Sequence, residues 1–369
     1  MSPRQSPHRA KTRIPSSAPR HAGYECEADV LEGLEDFAYD ELSARLGQRV
    51  RFGEPGRPGA LRFSYAGDLP ALLALHSVAA VYLVEYFDIP RPKALLGNQQ
   101  IGQLSALIDT AIKLAPAGAF TSLRLSAAGE DSTVLTRLKN ELAQRFGLAI
   151  AAEEGDLLLR LRRGTRDSGW EVLVRLTPRP LATRAWRVCN FPGSLNATLA
   201  HAIAVLTEPA HDDVLLNIAC GSGTLLIERL ALGQVKQAIG CDTDPAALDC
   251  ARRNLAVAGV ADRVRLEQWD AGAMPLPDAS ISVIVGDLPF GQLISTHRQN
   301  EEFYPRVLAE AARVARPGAR MALLTHEVRL LERVATRFTT QWDVLDVLRV
   351  RSGGMTPRIV VFRRTHNSY

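Results

Sequence analysis

The sequence predicts an α/β protein in which an α+β half, residues 23–178, precedes a doubly wound sheet, residues 212–369. Two observations predict this division. After residue 212, strand-like and helix-like segments alternate, which is typical of an open parallel sheet covered by helices. Before residue 178, two shorter groups of strands and helices are separated by a Pro-rich segment that starts at Ile89. With 369 residues and 46 % hydrophobic content, the chain can bury two or three cores.

The first 22 residues differ in composition from the rest of the chain. They hold five basic side chains and no acid, and they are rich in Ser and Pro, whereas the whole chain has a net charge of only +4. Because such a segment is a poor core former, we expect a disordered, solvated tail. An auxiliary nucleic-acid arm and an organellar transit segment stay open as alternatives, although the prolines disfavour the amphipathic helix of a transit segment.

Hydropathy and cysteine usage indicate where the chain resides. No apolar run approaches the roughly 20 residues needed to cross a bilayer, so no membrane contact is expected. The cysteines are odd in number and lack CxxC and CxxxC spacing, which argues against a disulfide framework and a zinc cluster. We therefore expect free thiols, no bound metal and a reducing compartment, the cytoplasm. The five cysteines are Cys26, Cys189, Cys220, Cys241 and Cys250.

The first module occupies residues 23–94. An acidic amphipathic helix is followed by a Gly/Pro-rich turn, a strand, a helix and another strand. In order, these elements are Gly33–Leu42, Gly53–Gly59, Ala60–Tyr65, Leu69–Val78 and Ala80–Phe87.

The second module, residues 95–178, also combines helices and strands. Its helices are Ile101–Leu114 and Ser132–Phe146, and its strands are Thr121–Ser126, Leu157–Arg162 and Trp170–Leu176. It has no Gly-rich phosphate loop and no His or acid pair at catalytic spacing, so we expect it to bind and not to catalyse.

The alternation of strand-like and helix-like segments in the C-terminal part predicts seven strands with helices between them. The strands are Asp213–Ala219, Gln237–Cys241, Arg263–Gln268, Ile281–Gly286, Ala319–Thr325, Trp342–Arg349 and Arg358–Arg363. The helices are Thr224–Leu232, Pro245–Ala258, Glu302–Ala315 and Glu327–Phe338. The last two strands leave no room for a helix between them, so the final strand should enter antiparallel through a hairpin. This pattern indicates the seven-stranded, Rossmann-like methyltransferase fold.

A glycine loop after the first of these strands predicts a cofactor site. Gly221 and Gly223 let the backbone approach a ligand and open the next helix with free N–H groups. Asp242 ends the second strand, where an acid suits the hydroxyls of a ribose, and Asp270 follows the third, where it can accept from an adenine amino group. A pyrophosphate ligand prefers a third glycine, where this chain has Leu226. S-adenosylmethionine, which lacks phosphate, is therefore favoured over a dinucleotide. We expect Cys220 to pack the loop and not to act as a nucleophile.

The fourth strand ends in Asp287-Leu-Pro-Phe290-Gly, which fits the [N/D]-P-P-[Y/F/W] signature of enzymes that methylate planar exocyclic nitrogens, with Leu288 where proline is commoner. The lone pair of such an amine is delocalised into its ring, which makes it a poor nucleophile. The Asp287 side chain and the Leu288 carbonyl can accept its two hydrogens and turn the lone pair towards the methyl group. Phe290 can stack on the extruded base. An ordinary strand-end turn is the alternative, disfavoured by the position beside a cofactor-binding loop.

These two loops resemble those of the THUMP-domain RNA guanine-N2-methyltransferases. Three further segments share the resemblance, so that it covers nearly the whole chain beyond the tail: Gly33–Leu42, Pro180–Arg187 and Pro192–Ala200. The resemblance implies a ferredoxin-like module at 23–94, a THUMP-like RNA-binding domain at 95–178, a linker and helix covering the cofactor at 179–211, and a catalytic domain at 212–369. Asn217 stands where many relatives have Asp.

The resulting site prediction has two parts. The predicted catalytic residues are Asp287, Leu288, Pro289 and Phe290. The predicted cofactor-binding residues are Ser194, Leu195, Asn196, Asn217, Cys220, Gly221, Gly223, Thr224, Asp242, Thr243, Asp270, Ala271 and Asp287.

Arginine clusters predict the partner. Residues 157–190 hold eight arginines against two acids, a local charge of +6, and residues 349–369 hold five arginines and no acid. Because a guanidinium binds two phosphate oxygens at once, the first stretch predicts contacts with structured RNA. The alternative, that these arginines are only solvated, stays open.

Together these features predict a monomeric enzyme that uses S-adenosylmethionine to methylate the N2 amine of a guanosine in tRNA. We call residues 287–291 the transfer loop. Ribosomal RNA is the alternative substrate, because the transfer loop indicates which amine is methylated but not which RNA carries it. Adenine-N6 methylation is permitted by the same loop but disfavoured by the arginine-rich half. A non-catalytic RNA-binding protein is the alternative of another class, and the intact cofactor motifs count against it.

Overall fold

The computed structural model describes residues 23–54, 56–164, 169–289 and 296–366, which form two sheets with flanking helices. The predicted tail and Phe290 lie outside these ranges. In the N-terminal half the strands are β1 Tyr24–Asp29, β2 Val50–Phe52, β3 Ala60–Tyr65, β4 Ala80–Phe87, β5 Ser122–Ala127, β6 Ala149–Ile150, β7 Leu157–Arg163 and β8 Trp170–Arg175. The helices of this half are α1 Glu35–Leu46, α2 Asn98–Ile112 and α3 Thr133–Phe146.

The N-terminal strands form a single eight-stranded sheet in the order β2-β3-β1-β4-β8-β7-β5-β6. Its centre is the antiparallel pair β4 and β8, in which Val84 lies opposite Leu173. The sheet is therefore continuous across residue 94, where the sequence predicts the boundary between two modules. Alternate residues of β1 and β4 enter the main core, and those between them face the other side of the sheet.

The sequence does not predict β1, β2 or β6. In β1 the acidic residues Glu25, Glu27 and Asp29 hide the apolar alternation. The structure buries Glu27 because Arg57, Arg62 and Arg162 surround its carboxylate. The helix expected at Leu69–Val78 is a short 3₁₀ helix, Leu69–Ala74.

The C-terminal half contains the second sheet. Its strands are β9 Val214–Ile218, β10 Gln237–Cys241, β11 Val264–Glu267, β12 Ile281–Asp287, β13 Ala315–Thr325, β14 Trp342–Arg349 and β15 Arg358–Arg364. Its helices are α4 Ala197–Leu206, α5 Thr224–Ala231, α6 Pro245–Val257, α7 His297–Val314 and α8 Val328–Ala335.

These seven strands lie in the order β11-β10-β9-β12-β13-β15-β14. The first five pair in parallel, and β15 enters antiparallel between β13 and β14. The predicted hairpin and the Rossmann-like methyltransferase fold are therefore confirmed. Helix α7 begins at His297, before the predicted start at Glu302, because Thr296 and Gln299 form a capping box. None of the helices in the described ranges is long and apolar enough to span a membrane.

A buried polar cluster joins the two halves. Arg184 Nε donates to Glu228 Oε1 on α5 at 2.8 Å, and Arg184 Nη2 donates to the His76 carbonyl at 2.8 Å. The Nδ1 atoms of His76 and His201 lie 3.0 and 3.2 Å from Glu228 Oε2. Burial raises the pKa of Glu228, but the contacts with His201 and His76 and the charge of Arg184 outweigh burial and hold it well below its ordinary value.

One expectation about the cysteines is wrong. Cys189 and Cys250 form a disulfide with their Cα atoms 5.4 Å apart, although 61 positions separate them along the chain. Spacing in the sequence cannot reveal such a pair, because only the fold brings the segment before α4 against helix α6. Cys26, Cys220 and Cys241 are free and buried, as expected.

Candidate active site

The loop between β9 and α5 has the conformation that its glycines predict. Gly221 and Gly223 both have positive φ, +53° and +80°, and a side chain at Gly223 would press against Ala251 of α6 at 3.3 Å. Leu226 stands where a dinucleotide site prefers glycine. It packs on β10, where a Cβ atom at Gly240 would lie 2.7 Å from its Cδ1 atom.

Asp242 lies directly beside this loop at the end of β10. Its Oδ2 atom accepts a hydrogen bond from the Gly221 N–H at 2.8 Å, and Oδ1 accepts from the Asp244 N–H at 3.0 Å. A carboxylate offers about four acceptor positions, so both oxygens can accept further hydrogen bonds from a ligand. Asp242 thus braces the loop and presents acceptors beside it.

A cavity of about 460 Å³ lies over the carboxyl ends of β9, β10 and β12, where open α/β sheets bind their ligands. Ten of the predicted site residues line it: Ser194, Leu195, Cys220, Gly221, Thr224, Asp242, Thr243, Ala271, Asp287 and Pro289. Asp287 and Pro289 thus share one cavity with the glycine loop and Asp242. Burial raises the pKa of the Cys220 thiol well above its ordinary value, so Cys220 lines the cavity as a neutral group.

Asp287 ends β12 at the floor of this cavity. Its Oδ1 atom is buried and has no hydrogen-bond partner among the described residues. Burial raises the pKa of this carboxyl to about 7, because charge is costly away from water. A buried acceptor without a partner is expensive for the fold, and it is poised to accept a hydrogen from a ligand.

The residues after Asp287 have different environments. Leu288 is buried, and its N–H donates to the Leu324 carbonyl at 3.0 Å. The Pro289 carbonyl accepts from the Tyr304 hydroxyl at 3.0 Å, which ties the transfer loop to helix α7. The predicted stacking residue, Phe290, is not among the described residues.

With this geometry described, the C-terminal half can be compared with known families. Residues 184–358 match the family described as UPF0020, the RMKL-like methyltransferase domain. This match spans slightly less than half of the chain.

Named relatives match more of the chain than the UPF0020 domain. Mouse THUMP3, named a tRNA (guanine(6)-N(2))-methyltransferase, is 28 % identical over 249 residues, which cover 62 % of this chain and 49 % of THUMP3. The tRNA (guanine(6)-N2)-methyltransferase of Thermus thermophilus is 27 % identical over 351 residues, 92 % of this chain and 99 % of that protein. Bovine THUMPD2, named a U6 snRNA (guanine-N(2))-methyltransferase, is 28 % identical over 217 residues, 56 % of this chain and 41 % of THUMPD2. The chain spans about half the length of the mammalian relatives it matches, or less.

Solved structures share the fold of both halves. TrmN from Thermus thermophilus has a TM-score of 0.69 and 24 % identity, covering 92 % of this chain and 99 % of its own. SMU.472, solved with SAH, has a TM-score of 0.67 and 14 % identity, covering 95 % of this chain and 100 % of its own. At these identities the likeness shows the fold alone. The fold includes the half that precedes the UPF0020 match.

Several predicted cofactor residues do not line the cavity described above. Asn217 is buried beneath the loop, where its Nδ2 atom donates to the carbonyls of Ile218 and Val285 at 3.1 and 3.2 Å. Asn196 caps α4 by accepting from the Thr198 and Leu199 N–H groups. Gly223 lies inside the turn, packed on α6. Asn217, Asn196 and Gly223 therefore support the walls of the cavity without lining it.

Asp270, the predicted adenine acceptor, is also outside the cavity lining. Its carboxylate accepts from the Gly272 N–H at 2.8 Å and pairs with Arg306 of α7. Burial raises the pKa of Asp270, but these hydrogen bonds outweigh burial and lower it below its ordinary value. Asp270 therefore holds the loop after β11 against α7, while its neighbours Trp269 and Ala271 line the cavity.

Helix α7 supplies a cavity wall that the sequence analysis misses. The lining residues Gln299, Phe303 and Arg306 repeat at intervals of three and four, so they share one helix face. The signal is present in the sequence, because Thr296 and Gln299 have capping-box spacing. Recognising that cap extends the helix towards the cavity.

The arginine-rich stretch 157–190 is used mainly inside the protein. Arg162 forms hydrogen bonds with the buried carboxylates of Glu27 and Glu171, each at 3.1 Å. Four more arginines of the stretch donate to Asp29, to Glu228 or to backbone carbonyls: Arg160, Arg175, Arg184 and Arg187. Much of the charge of the stretch is therefore paired inside the protein, and contact of these five arginines with phosphate stays a prediction. Arg179 is exposed, and Arg166 lies outside the described residues.

Proposed function

We propose that this chain transfers a methyl group from S-adenosylmethionine to the exocyclic N2 amine of a guanosine in structured RNA, with tRNA as the substrate. The observation that carries the proposal is the buried Oδ1 atom of Asp287, which lacks a described partner at the floor of the cavity lined by the glycine loop and Asp242. Acidic acceptors and a glycine loop suit the ribose and adenine of this cofactor.

The residues present fit S-adenosylmethionine part by part. Asp242 offers carboxylate oxygens to the ribose hydroxyls, and Trp269 and Ala271 supply an apolar wall for the adenine. Gly221 and Thr224 lie at the N-terminal end of α5, beside the segment that carries Ser194. When bound, the cofactor supplies an electrophilic methyl group on a sulfonium.

Asp287 aligns the amine in this proposal. Its ionised carboxylate accepts a hydrogen from the guanine N2 amine, which keeps the nitrogen lone pair turned towards the cofactor. The Leu288 carbonyl is the predicted second acceptor. Positioning of this kind can remove several kcal/mol from the barrier of a reluctant nucleophile, at roughly 1.4 kcal/mol for each tenfold in rate. No covalent bond between enzyme and substrate is required.

The RNA assignment is supported by the named relatives. The relatives reported above are named RNA guanine-N2-methyltransferases, and the Thermus thermophilus enzyme matches along almost its full length. We propose that the eight-stranded N-terminal half holds the RNA while the C-terminal half transfers the methyl group. The cavity and Asp287 come from one chain, so we propose that a single copy is competent and acts on tRNA.

The test is methylation of deproteinised total RNA by the purified full-length chain with methyl-labelled cofactor. We expect N2-methylguanosine in the tRNA size fraction, identified by mass spectrometry of the digested nucleosides. An Asp287→Ala variant is the control for activity that depends on this site. Label in N6-methyladenosine, or no label in any RNA, contradicts the proposal. N2-methylguanosine confined to U6 or ribosomal RNA retains the reaction and replaces the substrate.

A further inference from the structure

One wall of the cavity is a segment without helix or strand. We call residues 188–195 the strap; its part from Phe191 to Leu195 lines the cavity beside the glycine loop. A segment without its own regular hydrogen bonds depends on side chains of neighbouring elements for its position. The side chain that binds its first residues belongs to Asn254 on helix α6.

Asn254 makes four hydrogen bonds through one side chain. Its Oδ1 atom accepts from the N–H groups of Val188 at 3.0 Å and Cys189 at 2.9 Å. Its Nδ2 atom donates to the carbonyls of Cys189 and Ser222, both at 3.0 Å. The side chain therefore connects α6 to the strap and to the glycine loop at the same time. These are two walls of the cavity.

The chemistry of the position requires an amide. An asparagine side chain offers two hydrogens and two acceptor positions, and all four are used here. Asn254 is fully buried, so its own amide cannot turn to water when a partner is lost. Aspartate keeps the shape and the two acceptor bonds but loses both donors.

Further contacts show that the strap is a built part of the cavity. Ser194 Oγ lies 3.0 Å from Ser222 Oγ, and Arg187 Nη2 donates to the Leu195 carbonyl at 2.7 Å and to Thr224 Oγ1 at 3.0 Å. The Cys189–Cys250 disulfide ties the start of the strap to the same face of α6, one turn before Asn254.

We infer that Asn254 is a positioning residue for cofactor binding: it sets the distance between the strap and the glycine loop, and so the shape of the cavity. The inference rests on the proposed function only in naming S-adenosylmethionine as the ligand. Asn254 itself does not line the cavity, so its effect on the cofactor runs through the backbone of the strap and of Ser222.

The test compares Asn254→Asp with Ser282→Ala in the full-length chain. Ser282 is a matched control because it is also buried and hydrogen-bonded, to Asp213 and to the backbone of Val214, and does not line the cavity. Cofactor affinity is measured by calorimetry, unfolding by thermal melts, and methyl transfer at saturating cofactor. We expect Asn254→Asp to weaken cofactor binding by about tenfold or more, on the scale of lost buried hydrogen bonds, with kcat within about twofold. Ser282→Ala should lower the melting temperature and leave cofactor affinity unchanged.

The redox state of the strap gives a readout that a merely structural role would not move. With the disulfide intact, the strap keeps one link to α6, so the loss of affinity in Asn254→Asp should be smaller than after reduction with a dithiol. Wild-type affinity should change by no more than about twofold on reduction, because Asn254 still holds the strap. Asn254→Ala, which buries no charge, replaces Asn254→Asp if that variant does not fold.

The outcomes separate this inference from the proposed function. Wild-type cofactor affinity in a folded Asn254→Asp or Asn254→Ala variant, in both redox states, overturns the role of Asn254 and leaves guanine methylation intact. The opposite result is also informative. If the wild-type protein binds cofactor but methylates no guanosine, and the Asn254 variants lose cofactor affinity, the role of Asn254 is supported and the proposed reaction is excluded.

Discussion

The raised pKa of Asp287 predicts that methyl transfer depends on pH. Burial shifts this carboxyl to about 7, and its Oδ1 atom lacks a hydrogen-bond partner in the described part of the chain. Only the ionised form has both oxygens free to accept from a substrate amine. We therefore expect kcat/KM for RNA to rise with pH through about 7 and to level off above it.

The size of the effect follows from the position of this pKa. With a single group titrating near 7, the ionised fraction is about 0.09 at pH 6 and about 0.91 at pH 8, so the rate should rise roughly tenfold. Asp287→Asn keeps the shape and removes the charge. Asp287→Ala removes the acceptor altogether and should lower single-turnover transfer by about 10²-fold or more, with cofactor affinity nearly unchanged.

Stability should respond to pH with the opposite sign. The folded protein holds the Asp287 proton more tightly than the unfolded chain, in which the pKa is near its ordinary value of 3.8. The contribution of this carboxyl to stability is therefore full below that value and is lost as pH rises towards about 7. Asp287→Asn should lack this loss and be more stable than wild type at neutral pH.

The assay is single-turnover transfer to tRNA at subsaturating enzyme and saturating cofactor, where the rate follows kcat/KM, between about pH 5.5 and pH 9, with thermal melts over the same range. Asp40→Asn is the control, because Asp40 is an exposed acid on α1. A flat wild-type profile between pH 6 and pH 8, or the same inflection in Asp287→Asn, would refute the assignment of the titrating group to Asp287.

Three further predictions follow from other contacts. Asp242→Ala should weaken cofactor binding by about 1–3 kcal/mol in calorimetry, since it removes acceptors from the site and the brace of the glycine loop; unchanged affinity would place Asp242 outside the site. Arg162→Ala should cost about 1–3 kcal/mol in urea unfolding because it removes hydrogen bonds to the buried carboxylates of Glu27 and Glu171, which Arg62 still contacts, whereas Arg179→Ala, at an exposed position, should leave stability unchanged; equal stabilities would contradict the internal pairing. Glu228→Gln should flatten the loss of melting temperature in acid, because the lowered pKa of Glu228 gives stability above its ordinary value of 4.5 that is lost as pH falls below it; a variant as acid-sensitive as wild type would refute this.

Much of the cofactor site is predictable from the sequence because its signals are local. A strand, two glycines and a helix start lie next to one another in the chain, and the backbone angles of Gly221 and Gly223 are those that glycine permits. The acids that end β10 and β12 are brought to the same sheet edge by parallel pairing alone. Asp242 and Asp287 lie near each other because of the strand order, which the alternation of strands and helices predicts.

The functions of individual charged residues are less predictable. Asp270 has the expected place after β11, yet its carboxylate is taken by Arg306, which arrives from a helix more than 30 residues later. The arginines of 157–190 read as a phosphate-binding stretch, but β1 places Glu27 and Asp29 against them. Charge density in a sequence reports how many basic groups exist, and only the fold decides which of them still face solvent.

The sequence by itself determined the methyltransferase fold, the glycine loop and the acid at the end of β12, because periodicity, turn chemistry and strand order are properties of neighbouring residues. Only the tertiary structure decided the burial that raises the pKa of Asp287, the Cys189–Cys250 link and the four hydrogen bonds of Asn254. Each of these depends on segments far apart in the chain that meet in an interior where water cannot replace a missing partner. The physical reason is that the burial of a side chain and its pairing partners are set by its surroundings in the fold and not by the residue type.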